Sequence, residues 1–184
     1  MMSWESWLGD RLETVRVVTT ERGMRANGYV IQAGEAPYGA SYQFLVDVAG
    51  RTRRLAVQSD SVEGERHLAL TRTPGGPWVV ESTAGSRPLF ALNGAEDLQL
   101  DSSAFTPALA IRRLGIPERQ RHRPHSLRVG CISMPTLEVR AVEYEYTFGD
   151  GDKATLVGPE GHLDLTIDER GFVVLIPGHS RRLS

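Results

Sequence analysis

The chain has one cysteine, Cys131, and one lysine, Lys153, among 21 basic residues. A lone thiol excludes an intrachain disulfide and any cysteine-based zinc site. No apolar run is long enough to cross a bilayer as a helix, so no integral membrane association of that kind is expected. No G-x-S-x-G elbow, Walker loop or G-x-G-x-x-G occurs, which removes the usual nucleophile and phosphate-cradle signatures. A basic excess is missing too. The formal net charge is −2, and a general nucleic-acid binder normally carries a clear positive balance. The opening stretch MMSWESWLGDRLE has early acids and no continuous apolar segment, so it does not read as a secretory signal. A cytoplasmic protein is the expectation.

What is there is globular. At 184 residues, with 40% apolar and 24% charged side chains, residues 1–184 read as one domain with a real core. The dominant pattern is alternation with period two. In YQFLVDV the residues Tyr42, Phe44, Val46 and Val48 share a face; in HLDLTID, Leu163, Leu165 and Ile167 do. DLQLD repeats it with Leu98 and Leu100. One buried and one wet face favours antiparallel pairing. In TLEVRAVEYEYTF the apolar register changes, from Leu137, Val139 and Ala141 to Val142, Tyr144, Tyr146 and Phe148. One inserted residue would restore a continuous face, so a β-bulge or bend is expected at 141–142. Asp168 to Gly171, DERG, reads as the turn of a terminal hairpin between HLDLTI and FVVLIP.

YQFLV followed by HLALT finds an echo in YEYTF followed by HLDLT, which suggests two related β-meanders. Between them SSAFTPALAIRRLGIP reads as a two-turn helix. Thr106 is the expected N-cap, Pro107 fits the first helical position, and Gly115 with Pro117 closes it. Arg112 and Arg113 fall in its last turn, against the negative end of the helix dipole. The fold expected is therefore all-β and mainly antiparallel: a curved sheet or half-barrel with one short central helix.

The order of motifs resembles that of a bacterial family described as putative glycolipid-binding proteins. DLQLDSSAFTPALAIRRLGI is similar to the family's signature segment, in which an acidic strand leads into Thr/Pro-rich residues and then I-R-R-L. The early landmark with Trp7 and Glu13, the arginine-bearing RTRRLAV with Arg53, and YEYTF follow in order. LDLTIDERGFVVLIPGHSRR resembles the closing hairpin, with Ile176 in the position of a family tyrosine. The family's asparagine and second proline ahead of I-R-R-L are lost. The resemblance spans roughly residues 7 to 182. It implies a half-barrel-like fold and a lipid or glycolipid as partner.

On this reading the function is non-catalytic binding of an amphipathic small molecule, with no cofactor and no metal. The candidate ligand-binding residues are Trp7, Glu13, Arg53, Phe105, Arg112, Arg113, Tyr144 and Tyr146. The arginines suit an anionic or sugar headgroup at a cavity mouth through charge-assisted hydrogen bonds. They equally suit structural pairs with Asp97, Asp101 or backbone carbonyls, and their separation of roughly 100° around the helix disfavours one shared pocket. The aromatic stripe suits either an amphipathic ligand or the core. His122 and His125 lie in a basic, proline-broken loop without an acidic ligand nearby, and Cys131 has no adjacent charge to lower its pKa. Two other classes stay open: an enzyme on a hydrophobic substrate using Glu13 or Asp97, and a protein-interaction module using the concave sheet face. The oligomeric state is not legible.

Overall fold

The alternating segments form one long antiparallel meander. In the computed structural model, which describes residues 1–73, 75–82, 85–115 and 122–184, the strands follow in chain order. The first half comprises β1 (Met2–Ser6), β2 (Arg11–Thr20), β3 (Gly23–Gln32), β4 (Tyr38–Val46), β5 (Thr52–Ser61), β6 (Gly64–Arg72), β7 (Trp78–Ser82) and β8 (Gly85–Pro88). A single 3₁₀ turn at Phe90–Leu92, β9 (Asp97–Leu100) and the helix α1 (Pro107–Leu114) make the junction. The second half is β10 (His125–Ile132), β11 (Val139–Phe148), β12 (Lys153–Gly158), β13 (Gly161–Ile167), β14 (Val173–Ile176) and β15 (Ser180–Arg182).

These strands make one open, curved sheet in the order 8-7-6-5-4-3-2-1-15-14-13-12-11-10-9. The all-β, curved-sheet expectation holds, with a single helix among the described residues. The halves join where β15 pairs antiparallel with β1, Ser180 opposite Ser6 and Arg182 opposite Trp4. This strand lies beyond the hairpin expected to end the chain. The DERG turn itself forms as read: Gly171 N–H donates to the Asp168 carbonyl at 2.8 Å. Among the described residues only β9 pairs in parallel, along β10.

The inner face carries the core. Trp4, Val15, Ala26, Tyr42, Phe44, Leu55, Leu70 and Trp78 are buried there in the first half; Tyr146, Phe148, Ala154, Leu156 and Leu165 are in the second. The edge strand β9 turns back against the first half and is buried along its whole length. Thr52 N–H donates to the Glu96 carbonyl at 3.1 Å, and Trp78 Nε1 to the Ala95 carbonyl at 2.9 Å. Leu98 lies over Gly130, where an added Cβ would come within 2.5 Å of it.

Two local expectations change. No bulge occurs at 141–142: the β10–β11 register runs unbroken through Gly130↔Ala141 and Val129↔Val142. The apolar phase changes because both faces of β11 are covered. Val139 and Ala141 pack against the main core from one face, while Val142 shares the other face with Tyr144 and Tyr146 and joins Val129 and Cys131 in a small cluster there. Val48, expected on the face of Tyr42 and Phe44, lies exposed in the β4–β5 turn.

Helix α1 spans the residues read for it, with Pro107 at its start and Gly115 left-handed (φ 48°) at its end. Pro117 lies outside the described residues. The N-cap differs in mechanism. The Thr106 hydroxyl is spent on the backbone of Leu100, donating to its carbonyl at 3.2 Å, and makes no capping bond. Ser103 Oγ accepts the Thr106 amide instead, at 3.1 Å.

Candidate functional site

The antiparallel register sorts the turns into two ends. Turns 47–51 and 168–172 pack against α1, which sits across one end, and turn 149–152 lies at that same end of the strands. Arg113 reaches Asp97 with two nitrogens, Nη2 at 2.6 Å and Nε at 3.0 Å, and meets Glu96 at 3.1 Å. Arg112 lies over the Phe172 ring, 4.6 Å from its centroid, and donates to the Arg170 carbonyl. The two arginines diverge, as helix geometry requires. Asp97 is fully buried; burial raises its pKa against the opposing pull of Arg113.

At the other end lie turns 7–10, 33–37, 62–63, 133–138, 159–160 and 177–179. Over the first half this end is covered, since the Ser59 hydroxyl donates to the Pro135 carbonyl at 2.7 Å. Over the second half it is open. A cleft of about 360 Å³ enters the sheet there, within the range of small-molecule sites. Its buried wall carries Leu100, Pro107, Leu156, Leu163 and Ile176 with the ring of Tyr144, beside the buried polar residues Gln99, Ser103 and Ser180, of which Gln99 is bonded to Tyr146 and Ser103 to Glu13. Its mouth is polar, with Arg11, Asp101, Ser102, Glu160 and His179.

Local sequence shapes each wall. Gly158 ends β12 without a side chain, and an added Cβ would fall 2.3 Å from Tyr144 Cε1, so the ring lies against bare backbone. The Tyr144 hydroxyl receives the Cys131 thiol at 3.6 Å; burial raises the pKa of both groups and keeps them protonated. Ser102 holds a left-handed backbone, φ 65°, uncommon for a residue with a Cβ, where the chain leaves β9 for the cleft roof. The Asp101 carboxylate accepts the Met134 amide at 2.8 Å, and burial raises its pKa. Glu160 pairs with Arg140.

The roof, Ser103 to Phe105, is pinned by a carboxylate from the first half. Glu13 is buried and accepts four hydrogen bonds: Tyr42 Oη and Ser103 Oγ at 2.6 Å, and the amides of Ala104 at 2.8 Å and Phe105 at 3.2 Å. Burial raises its pKa and the four donors oppose that rise. Phe105 then enters an aromatic cluster, its ring 6.1–6.5 Å from Phe172, Trp4, Tyr42 and Phe44.

Of the eight residues singled out from the sequence, Tyr144 lines the cleft. Glu13 meets it through Ser103 and Ala104, and Phe105 lies beneath the roof in the core. Trp7 stands exposed at the cleft end, its amide donating to the His179 carbonyl at 2.8 Å. Tyr146 is buried, its hydroxyl receiving a hydrogen bond from Gln99. Arg53 holds Asp47 at 2.7 Å at the helix end, where Arg112 and Arg113 also lie. Sequence reasoning named Asp101 only as a partner for Arg112 or Arg113, whereas it bonds the Met134 amide, and it passed over Ser102, Leu156 and His179. Its one available signal was Gly158, a glycine closing an alternating strand, which marks a close approach. Among the described residues no group of three or more His, Cys, Asp or Glu converges as a metal site.

A family model described as putative glycolipid-binding matches residues 1–182. The crystal structure of a DUF1089 family protein from Pseudomonas aeruginosa superposes with a TM-score of 0.82 at 28% identity, covering 97% of this chain and 92% of that one. No curated protein matches.

Proposed function

The chain belongs to the family described as putative glycolipid-binding, and from that premise we propose that it binds an amphipathic small molecule, without catalysis, in the cleft at the open end of the sheet. The observation that carries this is a cleft whose large buried side chains are apolar, with Gln99 and Ser103 already bonded within the protein, and whose exposed lining is polar. Leu156, Leu163, Ile176 and the face of Tyr144 accept a hydrocarbon segment, whose transfer from water is favourable by about 25 cal/mol per Å². Arg11, Asp101, Ser102 and His179 offer both donors and acceptors to a hydroxylated or anionic head. A lipid or glycolipid has this order of parts. Arg112 and Arg113 act from the other end of the sheet, holding the helix against β9 and the β13–β14 turn.

The test is native mass spectrometry of the protein purified from its own host, beside Leu163→Trp, which fills the cleft. The expected result is a stoichiometric co-purifying amphiphile on the parent protein, reduced at least tenfold on the variant. A clean apo mass for the parent, with no retention from a lipid extract, would overturn the reading.

A further inference from the structure

Large apolar side chains collect where the cleft opens. The β1–β2 turn places Trp7 and Leu8 in solvent, 56% and 86% exposed. On the outer face beside it, Leu12 (43%) and Ile31 (63%) are direct cross-strand partners. Hydrogen bonds tie these elements into one platform. Trp7 N–H donates to His179, itself at the cleft mouth, and Ala33 N–H donates to the Asp10 carbonyl at 2.7 Å, joining the β3–β4 turn to the β1–β2 turn. Arg11, the next residue but two after Leu8, lines the mouth. An isolated exposed leucine needs no explanation, but a joined group of Trp, Leu, Leu and Ile does. A protruding Trp–Leu pair beside charges of both signs, Asp10 and Arg11, is the chemistry that suits a zwitterionic lipid–water interface, where an indole has both an apolar body and an N–H for the headgroup layer.

We propose that this rim docks on a phospholipid bilayer surface, with Trp7 and Leu8 inserted among the headgroups, so that the cleft mouth faces the lipid from which its ligand is drawn. The inference rests on the reading of the cleft as an amphiphile site, but its test is separable. Trp4 and Trp78 are each 1% exposed, so Trp7 is the one tryptophan whose emission should respond to an interface.

Phosphatidylcholine vesicles are the probe, with brominated-chain phosphatidylcholine as quencher. The full chain is expected to float with vesicles, with a blue-shifted and bromine-quenched emission. The surface double variant Trp7→Ser/Leu8→Ser should lose at least tenfold in vesicle partitioning while retaining amphiphile in native mass spectrometry. Val48→Ser, an exposed position at the helix end, should leave partitioning unchanged. Failure of the parent chain to float, or flotation that survives the double variant, would overturn the docking proposal and leave the cleft reading intact. A concentration-dependent dimer abolished by the double variant, without vesicle binding, would overturn it in favour of a contact between copies. Vesicle docking lost in the double variant, with no amphiphile held by either protein, would support the rim and sink the cleft reading.

Discussion

The two halves of the sheet carry nearly the same inward residues and end in different states. Along β4, β5 and β6 the inner positions are Tyr42, Phe44, Leu55, Val57, Leu68 and Leu70; along β11, β12 and β13 they are Tyr144, Tyr146, Ala154, Leu156, Leu163 and Leu165. Over the first set lie β9 and Phe105, and the space is filled. Over part of the second set lies the cleft. The strands do not decide which half is open. The path of residues 89–107 does, because it folds back over the first half and only roofs the second. A binding site on such a sheet is the part of its inner face that the connecting segment leaves uncovered.

The filled half should break first. Phe105→Ala removes the centre of the aromatic cluster and should cost about 3–5 kcal/mol by chemical denaturation. A loss below about 1 kcal/mol would mean that the cluster does not seal the first half. Glu13→Ala comes next. It strands two hydroxyls and two amides that share one buried carboxylate, for roughly 3 kcal/mol. Because those amides belong to the roof, amide exchange at Ser103 to Phe105 should accelerate in the same variant.

Asp168 sharpens the contrast from the open half. Its carboxylate takes the Arg182 guanidinium at 2.7 Å and the amides of Phe172 and Arg170 at 2.9 and 3.0 Å. Burial pushes its pKa up, and these donors outweigh burial and hold it below the ordinary value. A depressed folded pKa means stability present above the unfolded aspartate value, about 3.9, and lost as pH falls through the folded one. Asp168→Asn should therefore cost roughly 1–2 kcal/mol at pH 7, and the gap to the parent should close on acidification below about pH 4. A gap independent of pH would show that the ionised form contributes nothing. The smallest effect belongs to the cleft itself. Leu163→Trp should change stability by under about 1 kcal/mol, since it meets vacant space rather than packed core. A cost as large as that of Phe105→Ala would mean that the second half is as tightly filled as the first.

Much of this architecture was legible from period-two alternation and turn residues. Tyr42, Phe44, Leu165 and Ile167 lie on the strands and face read for them, the DERG turn forms, and α1 begins at Pro107 and ends at Gly115. Each of these rests on forces acting within a few residues. The expected bulge at 141–142 failed for the opposite reason: a face of β11 is apolar where something packs on it, and both faces are covered, by the main core and by Val129 and Cys131 of the neighbouring strand. Glu13 was singled out as a ligand contact, while the structure gives it partners ninety residues away.

The sequence by itself thus determined the alternating strands such as β4 and β13 with their inward faces, the short helix and the exclusion of an intrachain disulfide, because backbone geometry and local burial set those. Only the tertiary structure decided which half is filled and which is open, where Arg112 and Arg113 point, and that Trp7 and Leu8 stand beside the cleft mouth. Those outcomes depend on a fifteen-strand curvature and on one buried carboxylate holding the roof, contacts that no short window of residues encodes.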